Sequence, residues 1–163
     1  MLFRSGSGAI LREALEAATL LEERFEVSAD VWSVTSFTEL RRDGLDVERH
    51  NRMHPEEPAR TSYLERQLKS HPGPVVAATD YVKSYADLIR PFVPRRYTTL
   101  GTDGFGRSDE RTALRSYYEV DRYYIVVAAL KSLADEGHIA ESVVSDAIQA
   151  FNLDPEKADP LTV

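Results

Sequence analysis

Apolar positions along the first 150 residues fall into two alternating rhythms. Short runs of β-favouring residues mark strands at Met1–Arg4, Asp30–Val34, Pro74–Thr79 and Tyr97–Gly101. Between and after them, apolar residues recur at the three-and-four spacing of helices with one buried face. Ser5-Gly6-Ser7-Gly8 reads as a tight turn into a helix over Ala9–Arg24. Ile10, Leu11, Ala14, Leu15, Ala18 and Leu21 predict its buried face, with Glu13, Glu16, Glu22 and Glu23 in water. Ser36-Phe37-Thr38-Glu39 has capping-box spacing and opens a polar helix running to Met53, interrupted at Gly44. Its apolar stripe is narrow: Leu40, Leu45 and Val47.

Pro55 and Pro58 end that helix in a loop, and a short helix is expected over Ser62–Lys69. Tyr81–Phe92 predicts a helix with Tyr85, Leu88, Ile89 and Phe92 inward, stopped by Pro94. Past the last strand, Leu100-Gly101-Thr102-Asp103-Gly104-Phe105-Gly106-Arg107-Ser108-Asp109 is a glycine-rich turn. Ser108 is expected to cap the following helix, whose first turn holds Asp109 and Glu110. Tyr123–Ala134, with Gly137 as its C-cap, and Ser142–Phe151 complete the helices. Val143, Val144, Ala147, Ile148 and Phe151 point inward on the last, and 154–163 is a polar tail.

Strand and helix alternate about four times before the extra C-terminal helices. That order predicts a three-layer α/β/α fold with a mainly parallel sheet of about four strands. The run Pro74-Val75-Val76-Ala77-Ala78-Thr79 is apolar without alternation, as in a central parallel strand covered on both faces. A chain of 163 residues without internal repeat or linker reads as one domain, 1–163.

Composition narrows the function classes. A net charge of −7 argues against nucleic acid, since Arg41-Arg42 and Arg95-Arg96 are isolated basic pairs beside acids. The chain has no cysteine, which removes thiol chemistry and fits a reducing cytoplasm. No apolar run approaches the roughly 20 residues that span a bilayer, so no membrane partner is expected.

Candidate chemistry is sparse. His50 and His54 have the spacing of two zinc ligands on a helix, but Asn51 replaces the glutamate of a metalloprotease helix. No Gly-x-Ser-x-Gly elbow is present, and the Ser5–Gly8 turn lacks the lysine and spacing of a phosphate-binding loop. A plain strand-to-helix turn is the favoured reading there. Asp103 near Arg107 reads either as a catalytic pair or as a structural one. The structural reading is favoured, with Asp103 accepting turn amides and Arg107 making an ion pair or subunit contact.

Several separated motifs carry a resemblance. They are Gly6-Ser7-Gly8-Ala9-Ile10-Leu11-Arg12-Glu13, Asp30-Val31-Trp32-Ser33-Val34-Thr35-Ser36-Phe37-Thr38-Glu39-Leu40 and Arg42-Asp43-Gly44. His54-Pro55, Thr79-Asp80-Tyr81, Gly101–Asp109, Tyr118–Asp121 and Val126–Leu130 follow the same pattern. Together they resemble the end of the bacterial homodimeric pyruvate dehydrogenase first component, the thiamine-dependent, decarboxylating one. The Asp-x-Phe-Gly-x-Ser turn is shared with transketolases.

The resemblance implies a transketolase-like C-terminal domain of a longer chain, with sheet order 2-1-3-4 and a missing antiparallel edge strand before Met1. It implies that thiamine diphosphate and magnesium are held by other domains of the parent enzyme, and that this part binds neither and carries no catalytic residue. It implies contacts with the remaining domains, the second subunit of the homodimer and the lipoyl acetyltransferase component. Candidate contact or turn residues are Asp103, Gly104, Phe105, Gly106, Arg107, Ser108 and Asp109, with Arg41, Arg42 and Arg49 on the polar helix. Two alternatives stand beside it. One is an independent module binding a small ligand at the carboxyl edge of the sheet, near Ser5–Gly8 and Gly101–Gly106. The other is a transketolase-type transferase domain.

Overall fold

The computed structural model describes residues 2–6 and 8–162. Four strands form the sheet: β1 (Leu2–Gly6), β2 (Ala29–Ser33), β3 (Val75–Ala78) and β4 (Tyr97–Leu100). Their order is β2-β1-β3-β4 and every pairing is parallel. Residue 1, where the first strand was expected to begin, and residue 7 in the expected turn lie outside the described residues. β1 itself runs on to Gly6, into that turn.

Alternation along β3 separates two cores. Val76 and Ala78 join one cluster, with Leu100 of β4, while Val75 and Ala77 join the other, with Tyr97. Successive side chains of a strand point to opposite faces, so these clusters lie on the two sides of the sheet. The first holds α1 (Leu11–Phe25), α6 (Arg122–Asp135) and α7 (Glu141–Ala150). The second holds α2 (Phe37–Met53), α3 (Tyr63–Leu68), α4 (Lys83–Asp87) and a 3-10 turn at Arg90–Phe92. The three-layer α/β/α expectation holds. β3 is buried at all four positions, as its unalternating composition requires.

Three local expectations are corrected. On α1 the buried face is Glu13, Ala14, Ala17 and Leu21, whereas Leu15 is 51% exposed. Small alanines set that face where α1 packs against α6, and Glu13, ion-paired with two arginines, completes it. On α2 the helix passes unbroken through Gly44, because Phe92 covers it. A Cβ there would lie 2.5 Å from the Phe92 ring, so glycine allows the close approach. Leu45 points outward, 46% exposed, and Phe37 and Gly44 are the buried positions. The expected Tyr81–Phe92 helix is two pieces, since Pro91 has no amide to donate and ends the α-helical ladder early.

Ser36 caps α2 as expected, accepting from the Glu39 amide at 3.2 Å. The Glu39 carboxylate does not close the box; it takes the Arg42 guanidinium, with Nε donating at 3.1 Å. A complete box sits on α3 instead. The Glu65 amide donates to Ser62 Oγ at 3.2 Å and the Ser62 amide to Glu65 Oε2 at 2.7 Å.

Candidate functional site at the carboxyl edge of the sheet

β4 leaves the sheet at Gly101, which passes so close to the entry of α4 that no side chain fits. A Cβ would stand 2.7 Å from both the Lys83 amide nitrogen and the Tyr81 carbonyl. The Thr102 amide donates to Tyr81 O at 2.9 Å. Asp103 Oδ1 accepts from the Lys83 amide at 2.8 Å. Val82, the residue flanking α4, has no side chain with which to cap it, so Asp103 caps that helix from across the edge. Sequence reasoning expected Asp103 to accept amides of its own turn; its observed donor is the Lys83 amide of α4 instead.

Gly104 has φ +105, and a Cβ on it would press to 2.2 Å from the Pro160 carbonyl. Both facts require glycine. Phe105 is 77% exposed, and its carbonyl accepts from the Tyr118 hydroxyl at 2.6 Å. Gly106 has open space around it. The Arg107 guanidinium lies 4.5 Å from the centroid of the Tyr117 ring, a cation–π contact.

Ser108 does not cap the next helix. α5 runs Arg111–Tyr117, flanked by Glu110 in extended backbone without a side-chain cap. Asp109 Oδ1 accepts from the Glu110 amide at 2.7 Å, holding the approach extended and moving the helix start past Ser108. The tail folds back over this region. Lys157 Nζ donates to Ser116 O at 3.0 Å and Tyr117 O at 2.8 Å, and pairs with Glu119 at 3.2 Å.

Behind the turn sits a buried charge cluster that sequence reasoning missed. Glu13, 5% exposed, accepts from Arg115 Nη1 at 2.8 Å and from Arg122 Nε at 2.9 Å and its backbone amide at 3.1 Å. Burial alone raises the carboxyl pKa, but the Arg122 bonds and the charges of Arg122 and Arg115 outweigh it, leaving the pKa lowered. Asp121 beside it shifts the opposite way, raised by burial although it accepts the Tyr123 and Tyr124 amides. Only the long-range arginines explain why an acid belongs on a core face. The one sequence signal was that Glu13 shares a helical face with Ala14, Ala17 and Leu21.

The turn and α5 border an open cavity of about 430 Å³ past the ends of β3 and β4. Its wall includes Asp80 and Thr102 after the strands, Gly104 and Arg107 on the turn, and Arg111 and Arg115 on α5. The candidate contact residues on α2 are elsewhere. Arg41 and Arg49 are exposed, and Arg42 is held by Glu39. His50 and His54 stack with ring centroids 4.2 Å apart. Among the described residues no group of three or more histidines or carboxylates is placed to hold a metal ion. No helix among the described residues is long and apolar enough to cross a membrane.

The family model for the transketolase-like TK C-terminal domain matches residues 3–121. The chain is 56% identical over 158 residues to the pyruvate dehydrogenase E1 component of Cupriavidus necator, covering 97% of this chain and 18% of that protein. With the same component of Pseudomonas aeruginosa it shares 57% identity over 157 residues, 96% of this chain and 18% of that one. With that of Escherichia coli strain K12 it shares 52% over 156 residues, 95% and 17%. The chain thus spans less than a fifth of the length of these relatives. Among solved structures, a split gene transketolase described as an inactive beta4 tetramer superposes with a TM-score of 0.55 at 20% identity. The match covers 82% of this chain and 39% of that one, and the two share a fold.

Proposed function

The chain belongs to the transketolase-like C-terminal domain family, and from that premise we propose that it is the C-terminal assembly domain of a pyruvate dehydrogenase E1 component. The parent enzyme decarboxylates pyruvate on thiamine diphosphate and passes the acetyl group to the lipoyl group of an acetyltransferase component. The 46–57% identity to E1 components over nearly the whole chain carries this reading. The 163 residues contribute no step of that chemistry. Their part is to pack against the remaining domains and the second subunit of a homodimer.

The surface around the turn supports the assembly role. Tyr81 is 61% exposed, Val82 38%, Phe105 77% and Leu161 53%. The segments bearing them are tied together by the Thr102–Tyr81 and Asp103–Lys83 bonds and by the close approach of Pro160 to Gly104. Apolar side chains held outward on a braced turn have the character of an interface core. Arg41 and Arg49 on the outer face of α2 are the proposed polar contacts.

Calorimetry tests the division of labour. Thiamine diphosphate titrated into this chain with magnesium should give no binding that magnesium strengthens. Saturable, magnesium-dependent binding at micromolar concentration would place the cofactor here and overturn the reading.

A further inference from the structure

We propose that the cavity at the carboxyl edge is a binding site for a small phosphomonoester, with Arg107 and Arg111 as its phosphate ligands. The inference goes beyond the assembly role. Open parallel sheets of this kind expose ligand crevices past the carboxyl ends of their strands, and the 430 Å³ volume suits a small metabolite. What distinguishes this crevice is the state of its three arginines.

Arg115 is already committed, its fork bound to Glu13 Oε1 at 2.8 Å and to the Ala9 carbonyl at 3.2 Å. Arg111 precedes it by four residues on α5 and so shares its helical face, turned to the same cavity. Neither Arg111 nor Arg107 forms an ion pair among the described residues. The Arg107 guanidinium rests by its face on Tyr117, which orients it while leaving the in-plane N–H donors at its edge available. Two guanidinium groups without a carboxylate partner on one cavity wall match a phosphomonoester, which carries a charge of about −1.5 to −2 at neutral pH and three acceptor oxygens. The chain as a whole carries −7, so this cationic wall runs against the surrounding field. Asp80 and Thr102, at the strand ends, supply acceptors for a hydroxyl on the rest of the ligand.

The test titrates inorganic phosphate and glycerol 3-phosphate into the 163-residue chain by calorimetry, with glycerol as the neutral control. Glycerol 3-phosphate is expected to saturate at one site and to bind tighter than inorganic phosphate, with affinity falling as salt rises. Both arginines are exposed, so the R107Q/R111Q variant should fold with an unchanged circular dichroism spectrum and bind at least tenfold more weakly. The R52Q/R60Q variant makes the same change in net charge at exposed arginines with no assigned role and should bind like the original. Absence of saturable binding, binding retained by R107Q/R111Q, or equal loss in R52Q/R60Q would each overturn the site. None of these outcomes bears on assembly, which rests on Phe105 and its neighbours.

Discussion

Glu13 links three helices through one carboxylate: α1 carries it, α5 supplies Arg115 and α6 supplies Arg122. Removing one member of a buried charge cluster leaves the others desolvated without a partner. Glu13→Gln should therefore lower unfolding stability by about 2–4 kcal/mol in urea titrations near neutral pH. The pH dependence follows from the lowered folded-state pKa. The carboxylate contributes its stability above the unfolded value of about 4.5, and loses it as pH falls through the lower folded value. The gap between the original chain and Glu13→Gln should accordingly be full at neutral pH and narrow as pH falls below about 4.5. A gap independent of pH would show that packing, not charge, keeps Glu13 in place. At this scale the sequence was least legible. Periodicity assigned Glu13 to water because its partners lie about a hundred residues away, and a lone acid gives no local sign of a distant guanidinium.

At the scale of elements, α2 shows why glycine is not always a breaker. A helix-interior glycine costs about 1 kcal/mol relative to alanine, yet here it admits the Phe92 ring. Gly44→Ala should destabilise despite its better helix propensity, by a net of about 1–2 kcal/mol, because overpacking typically costs more than propensity returns. An increase in the urea midpoint would contradict the packing account. The tail gives a second case. Lys157 is bonded to two carbonyls at the end of α5 and lies 5.2 Å from the Tyr124 ring centroid. Lys157→Ala should leave global unfolding within about 1 kcal/mol while speeding limited proteolysis within residues 154–162. Mass spectrometry of the fragments reads this directly. The strands, their parallel arrangement and most helix bodies were legible, because each has a local composition that admits few alternatives. The start of α5 and the break at Pro91 were not. Asp109 redirected one helix start, and the missing amide of Pro91 acted before the expected stop at Pro94.

For the whole molecule, two cores flank one parallel sheet, and the carboxyl edge gathers the turn, the tail and the arginine wall. The position of that edge was legible from the strand-turn-helix pattern around Gly101–Asp109. Its contents were not, since the cavity forms only when α5 folds against the turn. The turn, with Phe105 at its tip, is the proposed assembly surface. Sedimentation velocity of the full-length parent protein carrying Phe105→Asp tests it most directly. Phe105 is 77% exposed within the domain, so the isolated chain with this change should keep its unfolding transition. The full-length variant should shift from dimer toward monomer, its dissociation constant raised at least tenfold, as expected when a charge is buried in an apolar interface. A variant that remains fully dimeric at the concentrations where the original does would contradict the account.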